Sequence, residues 1–171
     1  AGGDMLYAAG TGGDTLYAGD GNNLLQSSGS GNNDLEANGG DTLISGSSGR
    51  DTLVASGSGN LLTAQAGAGP GKMISNSLAG EHNTLIDESS HQHVLFGGAG
   101  GDMLFATGSG QDSLYAGSGN NMLQTSGSGD NYLEANGGDT LYSGSSGSDF
   151  LAATAGNNLL IAQAGSGSGQ L

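Results

Sequence analysis

A large aliphatic side chain returns every nine or ten residues along almost the whole chain, and that beat restricts the fold more than any other feature. It falls on Leu6, Leu16, Leu25, Leu35, Leu43, Leu53 and Leu62, then on Met73, Leu85 and Leu95, and resumes from Leu104 to Leu160. Around each of these residues the pattern is D/N-x-L-x-A/S, as in Asp14-Thr15-Leu16-Tyr17-Ala18. So short an alternation predicts a strand with Leu and a small residue (Ala8, Ala18, Ala37, Ala55) facing inward. The Gly-rich segments between strands, such as Gly10-Thr11-Gly12-Gly13, suit tight turns. Strand and turn repeated at a fixed period make a solenoid, in which every coil adds a thin slice of core.

A second, longer period lies over the first. AGGDML at Ala1–Leu6 returns at Ala99–Leu104, and LEANGGDTL at Leu35–Leu43 returns at Leu133–Leu141. At this offset of 98 residues, 50 of the first 73 residues are identical to their partners. About ten short steps fill one long repeat. An even number keeps a coil of two strands in register through the duplication, whereas three per coil would not divide. The expected fold is therefore all-β: a parallel β-roll, or β-solenoid, with two short strands per coil of about 18–20 residues. Residues 1–171 are read as one continuous solenoid. Residues 1–70 form the first copy and 97–171 the second, truncated one. Between them, 71–96 is an irregular junction in which the steps lengthen and the Gly turns weaken, with Pro70 at its entrance.

The stretch Gly97-Gly98-Ala99-Gly100-Gly101-Asp102-Met103-Leu104-Phe105 reads G-G-x-G-x-D-x-U-x, where U is a large aliphatic residue, and Ala9–Tyr17 differs from it only at the first Gly. This motif resembles the RTX (repeats-in-toxin) nonapeptide family, and the resemblance extends over nearly the whole chain. It implies a right-handed parallel β-roll with Ca2+ between successive turns on the same edge. Gly-rich turns offer backbone carbonyls and Asp adds charge, which suits a cation that takes six to eight oxygens. Carried over turn by turn, the sixth motif position falls on Asp4, Asp14, Asn23, Asn33, Asp41, Asp51 and Asn60. In the second copy it falls on Asp102, Asp112, Asn121, Asn131, Asp139, Asp149 and Asn158. Alternate positions go to opposite edges: Asp4, Asn23, Asp41 and Asn60 to one, Asp14, Asn33 and Asp51 to the other. The family favours Asp throughout. Here neighbouring coils would offer one Asp and one Asn, which should weaken the sites. Turns such as Asn38–Asp41 and Ser58–Asn60 are also short of the full spacing.

Sixteen acidic residues stand against Lys72 and Arg50 alone, a net charge of −14. Such a chain attracts cations and disfavours nucleic acid and anionic lipid, whose recognition needs Lys and Arg. No apolar run is long enough to insert into a membrane as a helix. The absence of Cys is compatible with an extracellular protein stabilised by metal. The chain opens on Ala1, which suggests a piece of a longer protein. The resemblance thus implies a secreted or cell-surface calcium-binding segment of an adhesin, toxin or exoenzyme, exported by type I secretion, with a role in folding after secretion and no catalysis. The competing expectation is a metal-independent solenoid: Asx side chains form hydrogen-bonded ladders, and the flat faces, with Tyr7, Tyr17, Phe96, Phe105, Tyr115 and Tyr142 outward, bind extracellular polysaccharide, a cell-surface partner or ice. In the junction, His91-Gln92-His93 places two imidazoles on one face of a strand, with Glu81, His82, Asp87 and Glu88 near in sequence. Transition-metal ligation is one reading of this group and a solvated junction the other, the spacing favouring the latter.

Overall fold

The computed structural model describes residues 2–163. Among these are seventeen strands, none longer than six residues. Taken alternately, they fall into two sheets. The first, third and every later odd strand form a nine-stranded sheet running from Met5–Ala8 to Leu159–Ala162; the even strands form an eight-stranded sheet from Thr15–Tyr17 to Phe150–Ala153. Every pairing is parallel. The chain therefore changes sheet after each strand and returns one coil further on, the two-strand β-solenoid that the even step count requires.

Register sets Leu upon Leu. In the larger sheet Leu6, Leu25, Leu43, Leu62, Leu85, Leu104, Leu123, Leu141 and Leu160 are successive partners. In the smaller one Leu16, Leu35, Leu53, Met73, Leu95, Leu114, Leu133 and Leu151 are. Away from the end coils these side chains are at most 1% exposed. The two columns pack back to back as one core, with Ala8, Ala18, Ala37, Ala55 and Ala106 filling the narrow space beside them. A one-residue slip in any pairing would turn its Leu to solvent, so the pattern itself pins the register.

The stretch 71–96 is a longer coil of the same stack. Its strands, Gly71–Asn76, Thr84–Asp87 and His93–Phe96, pair in register with the coils on both sides. The added length lies in the turns; the core residues Met73, Leu85 and Leu95 stay in column. On the outer face of the smaller sheet Phe96 stacks on Tyr115, with ring centroids 5.1 Å apart, and Tyr132 stacks on Phe150 at 5.6 Å. Tyr115 and Tyr132 join the two pairs through a tilted contact at 5.8 Å.

Turns stack as closely as strands do. Ser30 N–H donates to the Gly10 carbonyl one coil below, and Ser48 N–H to that of Gly29. At this spacing there is no room for a side chain between turns: a Cβ on Gly31 would lie 1.8 Å from the Gly12 carbonyl oxygen, and the obstacle is backbone that cannot rotate away. A Cβ on Gly12, in the first coil, would meet nothing within 4 Å. Gly31→Ala should therefore lower stability by about 3 kcal/mol, the upper part of the range for overpacking, while Gly12→Ala in this chain stays within about 0.5 kcal/mol of the parent, as open surface sites do. Urea unfolding of the two variants side by side checks this, and equal losses would refute the stacking argument.

Candidate functional site

The Asx residue that precedes each strand ends the turn and directs its side chain back along the stack. At the edge leading into the larger sheet, the Asn23 Oδ1 accepts the backbone N–H of Asp4, Asp41 that of Asn23, and Asn60 that of Asp41. Asn83, Asp102, Asn121, Asp139 and Asn158 continue the same contact, with all eight distances between 2.6 and 3.0 Å. At the other edge Asn33 accepts from Asp14, and Asp51 from Asn33. The column breaks at Gly71, which occupies the register position after Asp51. It resumes where Asp112 accepts from His93, Asn131 from Asp112 and Asp149 from Asn131. The edge assignment read from the sequence is thus the one the fold adopts. Asn83 was missed, because the longer coil places it 23 residues from Asn60 instead of 18 or 19. Apart from Asp4 and Asp14 in the first coil and the half-buried Asn158, every one of the fourteen sixth-position residues is buried.

Burial obliges these groups to find partners, and Asn and Asp do so differently. The Asn33 amide donates both to the Asp51 carboxylate, at 3.0 Å, and to the Gly31 carbonyl in its own turn, at 3.0 Å. Asn23, Asn121 and Asn131 bridge the next Asp and a turn carbonyl in the same way. An NH2 group here fills the place between carboxylate and carbonyl oxygens that a cation would otherwise take. The Asp residues are then distinguished by how many acceptor positions remain, a carboxylate having about four. Asp51 accepts two bonds from Asn33 and the hydroxyls of Ser27 and Ser45. Asp139 accepts two from Asn121 and the N–H groups of Asn136 and Gly137. Asp149 accepts two from Asn131 and the hydroxyls of Thr125, Ser143 and Ser145. These three are full. Asp41 and Asp102 accept three bonds each, while Asp4 and Asp14 lie exposed on the first coil. The donor set therefore fits Ca2+ in part. Asp41 and Asp102 each keep an unfilled acceptor position; Asp51, Asp139 and Asp149 do not, without losing bonds already made.

The electrostatics of the edge facing the smaller sheet follow from these partners. Burial opposes ionisation of Asp149, but the Ser143 and Thr125 hydroxyls, the Asn131 N–H and the Ser145 hydroxyl outweigh it and hold the carboxyl below its ordinary value. Asp112 is the reverse case. Burial and the nearby charge of Asp87 push it up to about 8. Only one hydrogen bond, from His93 N–H, reaches its carboxylate, and its Oδ2 has no partner. Two residues here depart from the sequence expectation. His91 and His93 do not share a strand face: the strand begins at His93, so His91 lies exposed in the turn with Nδ1 against the Ala68 carbonyl, while His93 is buried. Asp87 is also buried, because it follows Leu85 at the inward small-residue position.

A stack of Gly-rich turns, closed by Asx residues except at Gly71 and His93 and joined by short parallel strands, defines a β-roll of the calcium-repeat class. The RTX calcium-binding nonapeptide repeat matches the chain in four copies, at residues 2–28, 27–62, 94–123 and 143–166. These cover well over half of it, and the chain belongs to this family, whose repeats bind calcium. Comparison with curated proteins and with solved structures gives no significant match.

The lowered value of Asp149 predicts acid lability. Asp149 ionises more readily folded than unfolded, so its contribution is complete above the ordinary carboxylate range and is lost as pH falls through its lower folded value. Stability measured by denaturant unfolding should fall as pH drops below about 4. Asp149→Ala, which leaves three hydroxyls and the Asn131 amide without their acceptor, should cost about 2–5 kcal/mol at neutral pH and flatten that acid limb. A variant with an unchanged acid limb would exclude Asp149 as its source.

Proposed function

We propose that this chain is a calcium-responsive structural segment of an extracellular protein, and that its role is to fold and stiffen outside the cell. The observation that carries this reading is the unspent acceptor capacity of Asp41 and Asp102 at Gly-rich turns of a calcium-repeat family. A chain with a net charge of −14 resists compaction until cations gather on it, so ion binding and folding are coupled. The Asn-containing turns need no ion, because their amides already satisfy the adjoining oxygens. Calcium sites are accordingly fewer than repeats, and carboxylate ligation gives way to hydrogen bonding at Asn23, Asn33, Asn121 and Asn131. Family membership favours a secreted parent protein, an adhesin, toxin or exoenzyme that leaves the cell unfolded by type I secretion, with this segment structural and not catalytic. The aromatic row from Phe96 to Phe150 is the feature that speaks for polysaccharide binding. Its rings are stacked on one another, so much of the face area a sugar would cover is already taken.

Far-UV circular dichroism in excess EGTA, repeated after adding calcium, tests the coupling. The expected change is from a coil spectrum to a β spectrum, and a β spectrum indifferent to the chelator would overturn it. Asp102→Asn and Asp41→Asn should raise the calcium concentration at the folding midpoint. Asp51→Asn should change stability while leaving that midpoint's dependence on calcium as in the parent.

A further inference from the structure

Within the longer coil the roll departs from its own rule for satisfying a buried carboxylate. At one edge Asp51 is served by Ser27 and Ser45, and Asp149 by Thr125, Ser143 and Ser145. Asp112 holds the equivalent place between them. Register puts Asp87 and Ala106 where those columns carry Ser27 and Ser45, or Thr125 and Ser143. Gly108 stands two residues past Ala106, where Ser145 follows Ser143. Every hydroxyl donor is thus missing, and a second carboxylate has replaced one of them. The residue one coil before Asp112 is His93, at the place that Asn33 and Asn131 hold before Asp51 and Asp149.

Two of these replacements, Asp87 and His93, meet Asp112 at one point. A carboxylate oxygen of Asp87, a ring nitrogen of His93 and a carboxylate oxygen of Asp112 lie within 4.8 Å of one another, on residues 0%, 2% and 2% exposed. Asp87 Oδ2 is 3.0 Å from His93 Nδ1 and pairs with it; against the effect of burial this raises the imidazole above its ordinary value, while Asp112 Oδ2 has no partner. Ser89 Oγ, 3.0 Å from the same nitrogen, and the His91 carbonyl at 3.3 Å complete the polar lining. Each carboxylate accepts one backbone N–H, from Ser89 and from His93, but two buried carboxylates with no hydroxyl donor and one imidazole between them are a setting that favours a bound cation. We propose that Asp87, His93 and Asp112 bind one transition-metal ion of the Zn2+ type, inside the roll and separate from the calcium turns.

The ligand chemistry decides between ions. Calcium and magnesium take oxygen, whereas an imidazole nitrogen with carboxylates suits Zn2+ or Co2+. Size agrees with this. Ligands bonded at ~2.0–2.1 Å to a tetrahedral ion stand ~3.3 Å apart, so the 3.0 Å between Asp87 and His93 need open only slightly. Neutral His93 with two carboxylates and a divalent ion leaves no net charge. Asp87 and the backbone on either side of it lie in 63–93, outside the segments that match the calcium repeat.

The test uses the full chain refolded from denaturant in excess calcium, with Zn2+ or Co2+ added and free metal removed. Bound metal per chain and the visible absorption of Co2+ are then read. The expected result is one equivalent and the intense bands of a tetrahedral nitrogen–oxygen site. Asp87→Ser supplies the hydroxyl found in neighbouring columns and His93→Asn the amide found in neighbouring ladders, so both variants should fold. Both should lose the metal and the absorption, while His91→Gln and His82→Gln keep them. No stoichiometric metal on the parent chain, or metal retained by both Asp87→Ser and His93→Asn, would overturn the proposal. Calcium-dependent folding is read separately by circular dichroism, so either conclusion can fail without the other.

Discussion

The structure depends on one contact: a side-chain oxygen of one coil accepting a backbone N–H of the coil before it. A solenoid with two thin sheets has nowhere to hide the polar backbone of its turns. Between strands the ladder supplies partners, but at the corner the N–H that precedes the strand would be left buried and unpaired, at a cost of about 1–3 kcal/mol each time. An Asx residue has the reach to close that gap, and Ser or Thr would be shorter by one atom. With the corners closed in this way wherever an Asx residue stands, the coils keep the spacing at which Gly turns stack.

The alternation of Asp and Asn follows from the same contact. Both supply the accepting oxygen, and they differ in the atom left over. Asn brings two N–H donors, which bind the next carboxylate and the turn carbonyl together. Asp brings a second acceptor, which must be met by hydroxyls, by backbone N–H groups or by an ion. A column of Asp alone would place a charge every coil and require a cation at each one. Alternation halves that demand and lets part of the roll hold itself together by hydrogen bonds, with metal reserved for the turns where acceptors remain.

Much of this was legible in the residues themselves. Leu spacing gives the strand positions because an inward slot repeats wherever the core repeats. The even step count gives two strands per coil, and sorting alternate Asx residues by edge gives both columns. What stayed hidden was the fate of each side-chain atom. Whether the Asn33 amide meets a carboxylate or water depends on how closely two turns approach, which no spacing reports. The junction shows a subtler limit. Asn83, Asp87 and His93 each hold a regular place relative to the following or preceding Leu, as His93-Val94-Leu95 matches Asp14-Thr15-Leu16. The extra residues in the turns disguised that phase, and two histidines so near in sequence suggested a shared face that the start of the strand denies.

Because every rung runs the same way, from backbone N–H to the side chain of the following coil, the stack has a direction. A coil's forward side offers N–H groups, and its rear side offers Asx oxygens, as Asn23 N–H and Asp41, or Asn33 N–H and Asp51, show. Two such surfaces match only head to tail. A pair of rolls meeting rear to rear would press carboxylates together, so collinear growth, whether by gene duplication in steps of five coils or by contact between separate chains, is confined to a single orientation.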